Sequence, residues 1–336
     1  MDFLNAIILL ANFVIVPALT YGCQLALGAL GITLLYGILR FANFAYGDTM
    51  AFGTMVVILL TWWLKSIGIS TAPIPTALFV LPFGIVLTSL CVLVTDKLVY
   101  LHYRQTKAPP IRLVMASVGV MFVMSGLVRF MIGPNDQSFM DGERFLTTAR
   151  TFKTVTGLDE GLAIKTSQVL TVVIAIILVA LLFWFLQNTR TGKSMRAFSD
   201  NEDLALLSGI SPEKVVNVTW MIAAALATVA GVLYGLDKSF KPFTYFQLLL
   251  PMFAAAIVGG VGLPIGAIIG GFLIAFSEVL VTYAYKKFLT YLLPYGYEPE
   301  GLMQLLSTDY KVAVSFIVLV VVLLVRPTGL FKGRVI

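Results

Sequence analysis

An all-α, polytopic transmembrane helix bundle with broken or re-entrant segments is the fold class this sequence predicts, with about eight or nine membrane segments. Three observations predict it. The mean hydropathy is +0.95, with 59% apolar and 12% charged residues, against the ~45–50% apolar and ~25% charged residues of soluble domains. Apolar runs of the ~20 residues that cross a bilayer recur from end to end, so one integral domain over residues 1–336 is expected. Two of these runs are interrupted, by polar backbone at Arg40–Asp48 and by glycine and proline at Gly259–Gly271. Such backbone is tolerated at membrane depth only where protein or a cavity surrounds it.

The elements follow in order. Phe3–Leu19 lacks a basic n-region and a small-x-small cleavage pattern, and Asn12 interrupts it, so it reads as a retained helix. Thr20–Leu39 carries Gly22, Ala26, Ala29 and Gly37, small residues that let helices approach closely, and is expected inside the bundle. RFANFAYGD, Arg40–Asp48, is too short for an aqueous loop. Met50–Leu64 resumes the membrane and ends on the interfacial pair Trp62 and Trp63. Thr71–Pro75 is a proline-broken connector. Ala77–Val99 exits into a loop where Lys97, Arg104, Lys107 and Arg112 outweigh Asp96, the mark of a cytoplasmic loop.

After the span Leu113–Ile132, the segment 133–168 is placed outside, because Asp136, Asp141, Glu143, Asp159 and Glu160 match or exceed its bases. Val169–Leu186 returns to the cytoplasm, where the loop 187–213 carries Arg190, Lys193 and Arg196. Tyr245–Leu280 is about two crossings long and breaks at Gly259–Pro264, predicting either two helices or a re-entrant half-helix and a full one. Tyr283–Asp309 is expected outside with a short interfacial helix. Val312–Val325 is the last span, and the basic tail RPTGLFKGRVI follows it inside.

Composition also excludes. Cys23 and Cys91 lie in apolar runs and His102 stands alone, so no disulfide framework and no metal site is expected. There is no Walker A loop and no G-x-S-x-G, so catalysis is not expected of this chain. The net charge of +6 comes from bases in short loops beside spans, which inner-leaflet bias explains without nucleic acid. Lipid is the partner the composition demands.

The loop 187–213 holds a local signal. Ser199 and Glu202 have the S-x-x-E spacing of a capping box, and Asp200, Glu202 and Asp203 load a first turn where the helix dipole favours acids. Leu204 and Leu207 lie one turn apart around Ala205, and Gly209 is placed to end the helix. Ser211 and Pro212 then form a fresh start for the next span, as N-cap and first helical residue. A two-turn helix cannot stand alone in water. It is either a connector on the membrane surface or a docking element.

The segment Asp203–Gly209 resembles the EAA-type cytoplasmic loop of ABC-importer permeases, although Asp203 and Leu204 stand where the general motif has Glu and Ala. Together with LLYGILRFANFAYGD (Leu34–Asp48), GGVGLPIGAIIGG (Gly259–Gly271) and RPTGL (Arg326–Leu330), it resembles the permeases of branched-chain amino acid ABC transporters, of the LivH type. The motifs span nearly the whole chain. That resemblance implies a multi-pass permease of a bacterial-type inner membrane, with Asp200, Glu202, Asp203, Leu204, Ala205, Leu207 and Gly209 coupling it to an ATPase. It further implies a second permease subunit, identical or of the related LivM type, two ATPase subunits that use the ATP, an external solute-binding protein, and no cofactor on this chain. Tyr46 stands where family members commonly carry His, which leaves branched-chain amino acids and urea or short amides open as solutes.

The two interrupted runs are also what a solute path at a repeat interface looks like, in an ABC permease or in a self-sufficient secondary transporter or channel. Asn43, Tyr46, Asp48, Gly259, Gly260, Gly262 and Glu278 are therefore the candidate path residues. The plainer reading of the glycines is close helix packing. Ionisable residues inside a membrane are functional candidates by default. Arg129, near the end of its span, is expected to snorkel. Arg40 either anchors the interface or pairs with Asp48.

Overall fold

The computed structural model describes residues 2–69, 74–139, 145–292, 301 and 303–331. Among these, nine helices are long and apolar enough to cross a membrane. They are α1 (Asp2–Leu39), α2 (Tyr46–Ser66), α3 (Thr76–Gln105), α4 (Pro110–Ile132), α6 (Thr166–Asn188), α9 (Pro212–Asp237), α10 (Pro242–Gly259), α11 (Pro264–Thr282) and α13 (Thr308–Val325). Between them lie the shorter helices α5 (Ala149–Thr156), α7 (Arg190–Asp200), α8 (Glu202–Leu207) and α12 (Lys286–Leu292). One small antiparallel pair, Phe145–Thr147 with Ile164–Lys165, lies in the segment placed outside. Most of the connector at Thr71–Pro75, together with Asp141 and Glu143, lies outside the described residues.

The first two predicted spans are one helix. α1 runs unbroken for 38 residues, about 57 Å at ~1.5 Å per residue, which is longer than the ~30 Å hydrocarbon core. A π turn at Ala11–Ile15 sits just ahead of Pro17 and accommodates the proline that would otherwise interrupt the helix. Its first turns overhang the outer side and are held there by asparagines. Asn5 Nδ2 donates to Asp159 at 3.3 Å, and Ala163 N donates to Asn12 Oδ1 at 3.1 Å. Asn12 is thus a tether to the outer segment. α12, the predicted interfacial helix, packs on the same overhang.

The rest of α1 is the centre of the bundle. It is buried from Thr20 through Leu35, so no face of it is polar, as expected of a helix surrounded by others. Its small residues admit α11 closely: a Cβ on Gly271 would lie 2.8 Å from the Ala26 Cα. α9, α10 and α6 complete the ring around it, and α2 packs on α9 and α3. α13 is the most peripheral, with only 11% of its apolar window buried. Alternation of the spans puts the basic loops after α3 and α6 and the end of α13 on one side, the cytoplasmic one.

Tyr245–Leu280 resolves into two full helices. α10 and α11 have 18 and 19 residues, each about 27–29 Å long. They turn at Gly260 and Gly262, whose φ values of 107° and 85° suit glycine alone, and Pro264 opens the return helix.

Candidate functional site

The polar loop 187–213 folds into two helices. The sequence reading missed α7, which is amphipathic: Gly192, Met195 and Phe198 are buried on one face and the basic residues lie on the other. Thr189 caps it by accepting from Gly192 N at 3.0 Å. Gly192 is required because it packs directly on the Phe185 carbonyl.

The predicted capping box is corrected. Ser199 and Asp200 belong to the last turn of α7, and the N-cap of α8 is Asn201, extended at φ −150°, whose Oδ1 accepts from Leu204 N at 3.1 Å. Asparagine caps as well as serine does and lies one residue before the helix. Glu202 and Asp203 do occupy the first turn. Gly209, at φ 78°, closes α8 in a Schellman arrangement, with its own N–H on Leu206 O at 3.0 Å and Ile210 N on Ala205 O at 3.1 Å. Ser211 is the N-cap of α9, but its hydroxyl makes no cap bond.

α8 presents an unusual surface. Ala205 is buried and anchors it, while Leu204 is 61% and Leu207 85% exposed. With Leu206, which is also exposed, these leucines give a polar, capped helix at the cytoplasmic end an apolar contact surface.

The break at 40–45 is internal. α1 ends at Leu39 with Arg40 left-handed at φ 56°. Asn43 Oδ1 accepts from Ala45 N at 3.0 Å and from the Tyr100 hydroxyl at 3.4 Å, and Phe44 N donates to Ser117 Oγ at 3.1 Å. Asn43 therefore satisfies backbone that a buried break would otherwise strand. The Tyr46 hydroxyl donates to Ala223 O at 3.4 Å, against Gly31. Asp48 is buried in the first turn of α2. Among the described residues no ion pair joins it to Arg40, which is exposed. Arg129 is exposed near the end of α4, where a long side chain snorkels.

The glycine break packs first and exposes second. Gly259 and Gly266 meet backbone to backbone, so neither has room for a side chain. The RPTGL tail, to which sequence reasoning gave no role, seals this end of α10: Leu330 N donates to Val258 O at 2.8 Å and Phe331 N to Gly259 O at 3.4 Å. Beside it lies a cavity of about 600 Å³. Its walls come from α1 (Thr33, Gly37), α6 (Leu186), α7 (Met195, Asp200) and the break (Gly262). One residue of the predicted coupling set and one of the predicted path set thus share one cavity. Asn43, Tyr46, Asp48 and Glu278 lie away from it.

Glu278 sits at the outer end. It is fully buried, accepts from Ser315 Oγ and faces Lys311 Nζ at 3.5 Å. Lys311 Nζ also lies 3.7 Å over the Tyr21 ring, with Lys238 5.1 Å from the same ring. The sequence reading named Glu278 but neither Lys311 nor Ser315, which lie one turn apart on the last span.

A buried central helix, two internal breaks and a projecting capped helix define a polytopic transport permease. Residues 14–323 match the family described as branched-chain amino acid transport system / permease component, and the chain belongs to that family. It is 30% identical over 321 residues to the high-affinity branched-chain amino acid transport system permease protein LivH of Salmonella typhimurium, covering 94% of this chain and 93% of that one. It is 28% identical over 324 residues to BraD of Pseudomonas aeruginosa, covering 95% of each. PsaBC from Streptococcus pneumoniae in complex with Fab aligns over 98% of this chain and 94% of its own, with a TM-score of 0.46 and 11% identity.

Proposed function

We propose that this chain is the membrane-spanning subunit of an ABC importer for branched-chain and other hydrophobic amino acids, delivered by an external solute-binding protein. Two ATPase subunits dock on the cytoplasmic side and hydrolyse the ATP, and a second permease of the LivM type completes the path. The chain itself carries no cofactor and performs no chemistry.

The observation that carries this reading is α8. A six-residue helix closed at both ends, with Leu204 and Leu207 turned outward, matches what a groove in a partner receives and what a self-sufficient channel has no need of. Asn201, Glu202, Asp203, Ala205 and Gly209 hold its shape, and Asp200 ends the helix before it. The largely apolar cavity behind it favours a hydrophobic solute over urea or a short amide. Tyr46 spends its hydroxyl on an interhelix contact, so its departure from the family's histidine falls on packing.

Purification of the solubilised complex tests the assembly. Two ATPase copies and one further permease are expected to elute with this chain, and their dependence on Leu207 is expected to be strong. Elution of this chain alone, under conditions that keep membrane complexes together, contradicts the reading.

A further inference from the structure

We propose that the cavity between α1, α6, α7 and the Gly262 turn is a binding site for the hydrophobic amino acid on its way to the cytoplasm, with Thr33 as its buried polar contact. This inference rests on the importer reading above and adds the place where this chain holds the solute.

Thr33 is the anomalous residue. Threonines inside helices satisfy their hydroxyls on the carbonyl four residues back, and Thr20, Thr49, Thr54, Thr219 and Thr228 all do so at 2.7–2.9 Å. Thr33 is 2% exposed, lines the cavity, and its hydroxyl has no partner among the described residues. A buried hydroxyl left without a partner is unfavourable, so the site favours a ligand that supplies one.

The surroundings say which ligand. Leu34, Ile38, Leu186 and Met195 line the cavity with apolar surface suited to a branched aliphatic side chain. Ile265 and Gly266, in the first turn of α11, also line it. Amides in a first turn have no partner inside their helix, and the helix dipole there favours an anion. A carboxylate at Thr33 Oγ and that turn, an ammonium on the side of Asp200, which also lines the cavity, and an aliphatic group against α6 and α7 together describe an α-amino acid. The cavity's volume of about 600 Å³ falls in the ~300–1,000 Å³ range of small-molecule sites. Because α7 forms one wall and leads directly into α8, movement of the coupling helix reshapes the site.

The test uses the full complex in proteoliposomes, with Cys23→Ala and Cys91→Ala in this chain and Thr33→Cys as the reporter. A small water-soluble methanethiosulfonate is expected to label this chain at that cysteine, and saturating leucine to slow labelling at least fivefold. Thr33→Trp, which fills the cavity, is expected to lower leucine uptake at least tenfold per assembled complex. Labelling at the same rate with and without leucine overturns the inference, as does complete resistance to the reagent, which would assign the cavity to a lipid chain. Uptake at the wild-type rate by the Thr33→Trp complex overturns it as well. Wild-type complex that takes up no leucine overturns the importer reading itself and the inference with it, so wild-type uptake tells the two failures apart.

Discussion

Trp220 Nε1 donates to Asp96 Oδ1 at 2.7 Å, joining α9, the helix that follows the coupling element, to a π turn in α3. Asp96 also holds Arg104 through both oxygens, with Nη2 at 2.8 Å. Tyr100 stacks on Trp220 at 5.4 Å and reaches Asn43. Asp96 and Tyr100, on neighbouring turns of α3, thereby connect the cytoplasmic end of α3, α9 and the break at 40–45. Charged hydrogen bonds of this kind contribute about 1.5–3 kcal/mol each, so Trp220→Phe is expected to lower stability by about that amount. Asp96→Ala, which also leaves Arg104 unpaired, is expected to lower it by about 3–5 kcal/mol. Thermal unfolding of the purified protein followed by tryptophan fluorescence checks the Asp96 variant, and circular dichroism the Trp220 variant.

Glu278, which is buried, and the partly buried Lys311 form an ion pair that fastens the otherwise peripheral α13 to α11. Lys311→Met leaves a buried carboxylate uncompensated and is expected to destabilise by about 3–5 kcal/mol. Adding Glu278→Gln is expected to restore most of that loss, so the double-mutant cycle shows strong coupling. Additive losses would separate the two residues.

Gly209 and Gly259 are expected to behave as opposites. A Cβ on Gly259 would run into the Gly266 backbone, and one on Gly209 meets nothing within 4 Å. Gly259→Val is expected to yield no folded protein by size-exclusion chromatography. Gly209→Val strains only a local φ of 78°, at about 1–2 kcal/mol, and is expected to insert and fold while solute uptake falls at least tenfold. Asp203→Lys, which puts a cation at a helix N-terminus, is expected to give the same uncoupled phenotype.

Truncation after Val325 removes the amides of Leu330 and Phe331 from the last carbonyls of α10. A lower melting temperature, with increased hydrogen exchange confined to residues 255–263, is the expected result.

The spans, the two breaks and the capped loop were legible in the sequence because bilayer length, glycine and proline density, and cap residues are local signals. α1 was read as two helices because a π turn that accommodates a proline leaves no compositional mark. α7 was missed because its buried face, Gly192, Met195 and Phe198, is narrow and its remainder is basic. The Schellman end at Gly209 was readable, whereas the choice between Ser199 and Asn201 as cap depended on where α7 stops. Asn43, Tyr46 and Glu278 were recognised as out of place in a membrane. Their partners, Tyr100, Ala223 and Lys311, lie 57, 177 and 33 residues away in the chain by number, and no spacing rule connects them.

The most direct test of the account is leucine accumulation in proteoliposomes that hold this chain with its ATPase, second permease and binding protein, compared with Leu207→Asp. Accumulation that requires ATP and binding protein and is lost in Leu207→Asp, with the variant still folded, is the predicted result. Leucine flux through this chain alone, without ATP, would contradict it.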